Sequence, residues 1–280
     1  MIHLKDNNGN WTVVVNNKSY QFNSNHPEYV NLVKAVRKED DEAIVELMEQ
    51  GTKIDNWSEG NFTFKDGVLF YDFEDLNEEV EEGITRRVIS HMRERIDYQY
   101  LLNFISKVYQ NQSHRATYEG FKFFANHHMP ITKDGCVIAY KAVKTYHGSP
   151  VIGKDGVEIR EGDLVDKWTG CSHRNNVGDT PNMLRRHVND DCGSACAPGL
   201  HAGSTYYAKS YGSPGDTAIL VKIDPRDLVT VPTCDSEKVR VCRYEVIGLY
   251  NGDLIPPLVD VQKPYEDDDD DEWEDDEDWD

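Results

Sequence analysis

Residues 196–212 read CAPGLHAGSTYYAKSYG, and the second half of the chain is built around this stretch. A Pro198-Gly199 break precedes Leu200-His201-Ala202-Gly203, and tyrosines at helical spacing follow. The pattern predicts a strand, a tight corner and a short helix with Tyr207, Ala208 and Tyr211 on one face. Gly199 and Gly203 give the corner its backbone freedom. His201 then has two readings. In a packed corner it is a hydrogen-bonded core histidine; in a site it is a polar group aimed at a ligand.

Outward from the corner, TAILVKI (217–223), DLVTV (227–231) and KVRVCRYEVIGLY (238–250) alternate as strands. In the last of these, Val241, Arg243 and Glu245 share one face, opposite Cys242, Tyr244 and Val246. The site reading of the corner therefore has a definite form. A strand histidine, an aromatic on the next helix and a glutamate on a later strand are the set used by ADP-ribosyltransferase-type folds. His201 would bond a nucleotide ribose, Tyr207 or Tyr211 would stack on a planar ring, and Glu245 would polarise a hydroxyl. The alternative for Glu245 is a salt bridge with Arg243. Metal ligation is a third option, because Cys171, His173, His187, Cys192, Cys196 and His201 fall close together. The spacings C-x-H and C-x-x-x-C are not those of paired zinc knuckles, so reduced thiols are the expectation; the weaker metal set is Cys171, His173, Cys192 and Cys196.

Upstream, residues 146–199 are rich in Gly, Asp and Asn and predict long ordered loops. ITKDGCVIAYKAV predicts two strands about Asp134-Gly135. Before Pro130 the texture is more helical. WTVVVNNKSYQF (11–22) predicts two short strands about Asn16-Asn17. HPEYVNLVKAVRKEDDEAIVELMEQG predicts two helices, with Pro27 in the first turn of one, Asp40–Asp41 opening the other and Gly51 closing it. Residues 61–71 predict a hairpin about Asp66-Gly67, residues 76–109 are helical, and Ser113 caps a further helix that ends at His127–Pro130. The expected fold is α+β: a mostly helical N-terminal half with short hairpins (1–129), a β-rich domain carrying the corner (130–252), a Pro-containing linker (253–265) and an acidic disordered tail (266–280).

The tail, EDDDDDEWEDDEDWD, holds thirteen acids and no Lys or Arg, so well over half of the formal net charge of −21 sits there. Such a segment cannot pack against itself. One reading is a solubilising appendage. The other is a polyanion that mimics nucleic acid and fills a basic groove on a protein, with Trp273 and Trp279 as anchors among acids such as Asp270 and Asp275. Direct binding of nucleic acid is not expected of so acidic a chain. No apolar run is long enough to span a bilayer, and the N-terminus lacks signal-peptide features. A cytosolic protein is the expectation. Walker, GxGxxG, HExxH and GxSxG motifs are absent from the sequence, and no cofactor is expected.

Four blocks, in order, resemble the rIIB-like family of tailed bacteriophages. They are LLNFISKVYQNQSHRATYEGFKFFANHHMPITKDGCVIAYKAV, CAPGLHAGSTYYA, TAILVKIDPRDLVTVP and KVRVCRYEVIGLY. Gln112 stands where the family usually has proline, and Met129 where it has leucine; both suit a helix start and a core position. The loop at 166–192 keeps Thr169-Gly170 and Asn176-x-Gly178 but carries an extra Cys171. The resemblance implies a phage accessory protein that acts on lysis timing or against prophage-encoded exclusion. It implies protein contacts, an rIIA-like partner or a basic host or phage protein, and a place in the host cytoplasm with peripheral contact at the inner membrane. It carries over no catalytic residue.

Overall fold

The computed structural model describes residues 1–24, 26, 28–49, 61–65, 68–72, 74–75, 82–94, 96–127, 129–167 and 172–252. Asn16 and Asn17 both adopt positive φ (50° and 63°), the geometry of a two-residue hairpin turn, and join β2 (Trp11–Val15) to β3 (Lys18–Phe22). β1 (Ile2–Lys5) adds antiparallel to β2. Alternation turns Val13, Val15, Tyr20 and Phe22 to one face, and α1 (Tyr29–Arg37) and α2 (Asp41–Met48) cover it with Leu32, Ala35, Val36, Ile44 and Leu47. Each fully buried aliphatic there contributes about 1.5–3 kcal/mol. Asp40 caps α2 by accepting from the Ala43 N–H at 3.0 Å, as its position before the apolar run predicts. Pro27, Gly51 and the Asp66-Gly67 turn lie outside the described residues.

A second and larger core runs from Phe62 to Val246, across the change of texture at Pro130. Its first contributors are β4 (Phe62–Lys65), β5 (Val68–Tyr71) and β6 (Glu74–Asp75), paired as a small antiparallel sheet. Three helices follow: α3 (Glu82–Glu94), α4 (Gln99–Tyr109) and α5 (His114–Asn126). α4 buries Leu101, Phe104, Ile105 and Val108 at helical spacing. Phe104 meets Phe121 and Phe124 of α5 edge to face at 5.8 Å, a geometry that rings prefer. Ser113 caps α5 through the Ala116 N–H.

These helices lie on a seven-stranded antiparallel sheet made of β7 (Val137–Thr145), β10 (Leu164–Asp166), β11 (Leu200–Gly203), β12 (Thr217–Ile223), β13 (Leu228–Thr230), β14 (Lys238–Val241) and β15 (Glu245–Leu249). β8 (Val151–Ile152) and β9 (Glu158–Ile159) form a separate ribbon, and α6 (Thr205–Tyr211) packs on β7. The class is α+β. Strands are not confined to the second half, since two three-stranded sheets precede residue 130 among the described residues. No helix among the described residues is long and apolar enough to cross a membrane.

Two strand expectations change. ITKDGCVIAYKAV holds one long strand; its first half turns at Asp134-Gly135 and meets the strand through an Ile131–Val137 bridge, with Gly135, at φ +76°, tucked against the Asn103–Phe104 backbone. KVRVCRYEVIGLY is two strands. At Cys242–Tyr244 the backbone leaves the ladder to bond Asp227, Met183 and Pro181. The sheet order is β13-β14-β11-β7-β12-β15, so β14 and β15 are four strand steps apart, roughly 19 Å if the sheet were flat. Val241 and Glu245 are four residues apart in sequence, a reach of at most about 14 Å. The sheet is therefore curled, with its two ends drawn together by the residues between β14 and β15.

Candidate functional site

The corner residues form the predicted elements. Leu200 and Ala202 point into the core, and Ser204 caps α6 by accepting from the Tyr207 N–H. Gly203 is fixed by close approach: a Cβ there would lie 2.1 Å from the Glu237 carbonyl. Gly199 abuts Val188 and the Arg240 stem in the same way. The corner also sits where the sheet forks. β11 touches β7 through a single pair, Gly203–Tyr140, and β10 takes over the same edge of β7 from Val143 onward. Between those two pairings lies Lys141. Its ammonium donates to the His201 carbonyl at 2.9 Å, which fills a ladder bond that the fork leaves open.

A charged side chain inside a sheet core needs a partner. Asp166, at the end of β10, lies 3.2 Å from Lys141 and accepts from the His173 ring at 3.1 Å. Ser172 touches the same ring, Asn175 donates to the His173 carbonyl, and the Tyr244 hydroxyl donates to Asn175. Lys141 also stands over the Tyr244 ring at 5.7 Å. Burial alone would push the Asp166 carboxyl up; Lys141 and His173 outweigh it and hold the group well below the usual carboxylate range. Burial pushes the Tyr244 hydroxyl well above its ordinary value.

A second buried set adjoins the first on β14. Lys238 pairs with Asp235 at 2.9 Å and donates to the Tyr211 hydroxyl. Burial works to lower its pKa, and Asp235 more than offsets this. Arg240, 0% exposed, donates to the carbonyls of Asn189, Asp191 and Ser194. No carboxylate lies within ion-pair distance of Arg240 among the described residues, and burial lowers its pKa. His201 is the cross-strand partner of Arg240. Burial, then Lys141, Lys238 and Arg240, bring its pKa down to about 3, so the imidazole is neutral at physiological pH. Its Nε2 is buried without a hydrogen-bond partner, unlike the satisfied core histidine that the packed-corner reading expects.

His201 and Tyr211 line one cavity, with Tyr207, Asp166, His173 and Lys238. Glu245 does not line it: it is exposed on β15, where it pairs with Lys222, and the three residues of the transferase set do not converge. Cys196 also lines the cavity, while His173 is committed to Asp166 and Ser172. Cys171 lies outside the described residues, as do Trp273, Trp279, Asp270 and Asp275. No group of three or more His, Cys, Asp and Glu among the described residues is arranged to hold a metal ion. Sequence reading passed over Lys141, Asp166, Asn175 and Arg240. The signal for Lys141 was its phase: it has the parity of Val137, Ala139 and Val143, all core-facing.

The family model for bacteriophage T4 protein rIIB matches residues 4–256, and so takes in both cores and the fork. The chain belongs to the rIIB family. Protein rIIB of Enterobacteria phage T4 is 26% identical over 239 residues, which covers 84% of this chain and 67% of the phage T4 protein. No solved structure matches the chain. The match to the rIIB family stops short of residue 266, so the acidic tail lies beyond it.

Proposed function

We propose that this rIIB-family chain is a phage accessory protein that acts on lysis timing or against prophage-encoded exclusion, and that it does so by docking on other proteins. The observation that carries this reading is the family match over residues 4–256, which spans both folded units. The partner is an rIIA-like phage protein or a basic host or phage protein, met in the host cytoplasm or at the inner-membrane surface. Residues 266–280 supply the charge for a basic partner, and Trp273 and Trp279 supply the apolar anchors. An exposed pair, Ile2 and Leu4 on the edge strand β1, offers a further contact, because an edge strand presents unpaired backbone groups.

The test is co-purification of the tagged full chain with a co-expressed rIIA-like protein from the same phage, beside a chain truncated after residue 265. The reading expects a stoichiometric complex with the full chain. It expects weaker capture by the truncated chain at low salt and an unchanged melting temperature. No complex with the full chain, together with normal lysis timing in a phage lacking the gene, contradicts it.

A further inference from the structure

We propose that the cavity at the β7–β11 fork is a binding site for a small aromatic anion. The cavity measures about 670 Å³, within the roughly 300–1,000 Å³ common for small-molecule sites. A recess of about 50 Å³ opens beside it, lined by Lys141, His201, Tyr207 and Tyr211 among others. Room for one functional group and a buried unpartnered atom, His201 Nε2, thus occur together.

The walls fix the body of the ligand. Met183, Leu200, Tyr207 and Tyr211 present apolar and aromatic surface, and the two tyrosine rings lie 4.6 Å apart at 45°. A planar ring buries more surface against such walls than a flexible polar chain does. The charges fix its sign. Lys141 is matched by Asp166 and Lys238 by Asp235. Arg240 is hydrogen-bonded to carbonyls, and Asp191 raises its pKa from beyond ion-pair distance; it stands one strand from His201. Lys154 stands exposed at the mouth. One buried cation without an ion pair and one exposed at the rim leave the positive sign in excess, so an anion gains and a cation loses. His201 completes the set as a neutral polar group for the anionic head or a hydroxyl beside it.

An aromatic anion of this size is a nucleotide or an aryl carboxylate or sulfonate, and the experiment separates them. The full chain is titrated with the fluorescent aryl sulfonate 8-anilinonaphthalene-1-sulfonate, and the complex is challenged with AMP, 2-naphthoate and neutral adenosine. Saturable one-to-one binding is expected, about tenfold weaker in His201→Phe and lost in Met183→Trp, which fills the cavity. Lys154→Gln, an exposed change that leaves the fold intact, weakens it about twofold to threefold at low salt. Displacement by AMP assigns a nucleotide; displacement by 2-naphthoate alone assigns an aryl acid. The proposal is overturned by an absence of saturable binding, by parent-like binding in all three variants, or by adenosine competing as well as AMP. Those results leave the rIIB family assignment untouched.

Discussion

The two cores of this chain reach stability by different means. The N-terminal one, from Val13 to Leu47, is apolar side chains on a three-stranded sheet and two helices. The larger one buries Lys141, Asp166, His173, Asn175, Lys238 and Arg240 beside its aliphatic residues. The difference follows from the sheets. β2 and β3 pair in unbroken register and bury one face by alternation alone. The seven-stranded sheet forks at β7, and a fork leaves backbone groups that only side chains reach. Lys141 serves the open carbonyl, its charge calls for Asp166, and Asp166 in turn holds His173. A local defect in pairing thus explains a network and a cavity in one step.

The comparison is broken most severely by Asp166→Ala, which strands Lys141 in the core. A loss of about 3–5 kcal/mol in urea unfolding is expected. Ile44→Ala does to the apolar core what a cavity does, at about 2–4 kcal/mol. Its damage shows first as protease cleavage within residues 1–49, with the larger core still protected.

Acid sharpens the contrast. In the unfolded chain His201 takes a proton near pH 6.5, but in the fold only near 3. Between those values unfolding takes up a proton, so the larger core loses stability as pH falls from about 6.5 toward 3. Asp166, whose folded pKa lies below its unfolded one, keeps its full contribution until about pH 4 and loses it only below that. The window from pH 6.5 to 4 therefore separates His201 from Asp166. His201→Phe is expected to flatten the stability–pH curve in that window. The smallest effect belongs to Lys18→Met, which removes an exposed bridge to Glu49 on the N-terminal sheet. Its cost is the smallest of the set and vanishes in salt.

The same contrast explains what could be read in advance. Alternation and capping suffice where pairing is regular. Asn16-Asn17, the Asp40 cap, the Ser113 cap and the 200–211 strand and helix all stand where their residue types place them. A fork is a property of which strands meet, not of any strand alone. Nothing in Lys141 or Asp166 announces that β10 will displace β11 on one edge of β7. The break at Cys242–Tyr244 does leave a mark: apolar residues fall on odd positions up to Val241 and on even ones from Cys242 to Val246, and contacts with Asp227, Met183 and Pro181 divide the strand there. Residue type alone joins Glu245 to His201; on β15 it stands exposed, outside the cavity. His201 itself was legible, though its neutral state was not, since that depends on burial and on three cations from β7 and β14.

The most direct test is a double-mutant cycle on Lys141→Met and Asp166→Leu, read by urea unfolding at pH 7. If the pair holds the fork together, each single change is costly and the double change recovers most of the loss, with a coupling of at least about 2 kcal/mol. Additive losses would contradict the account.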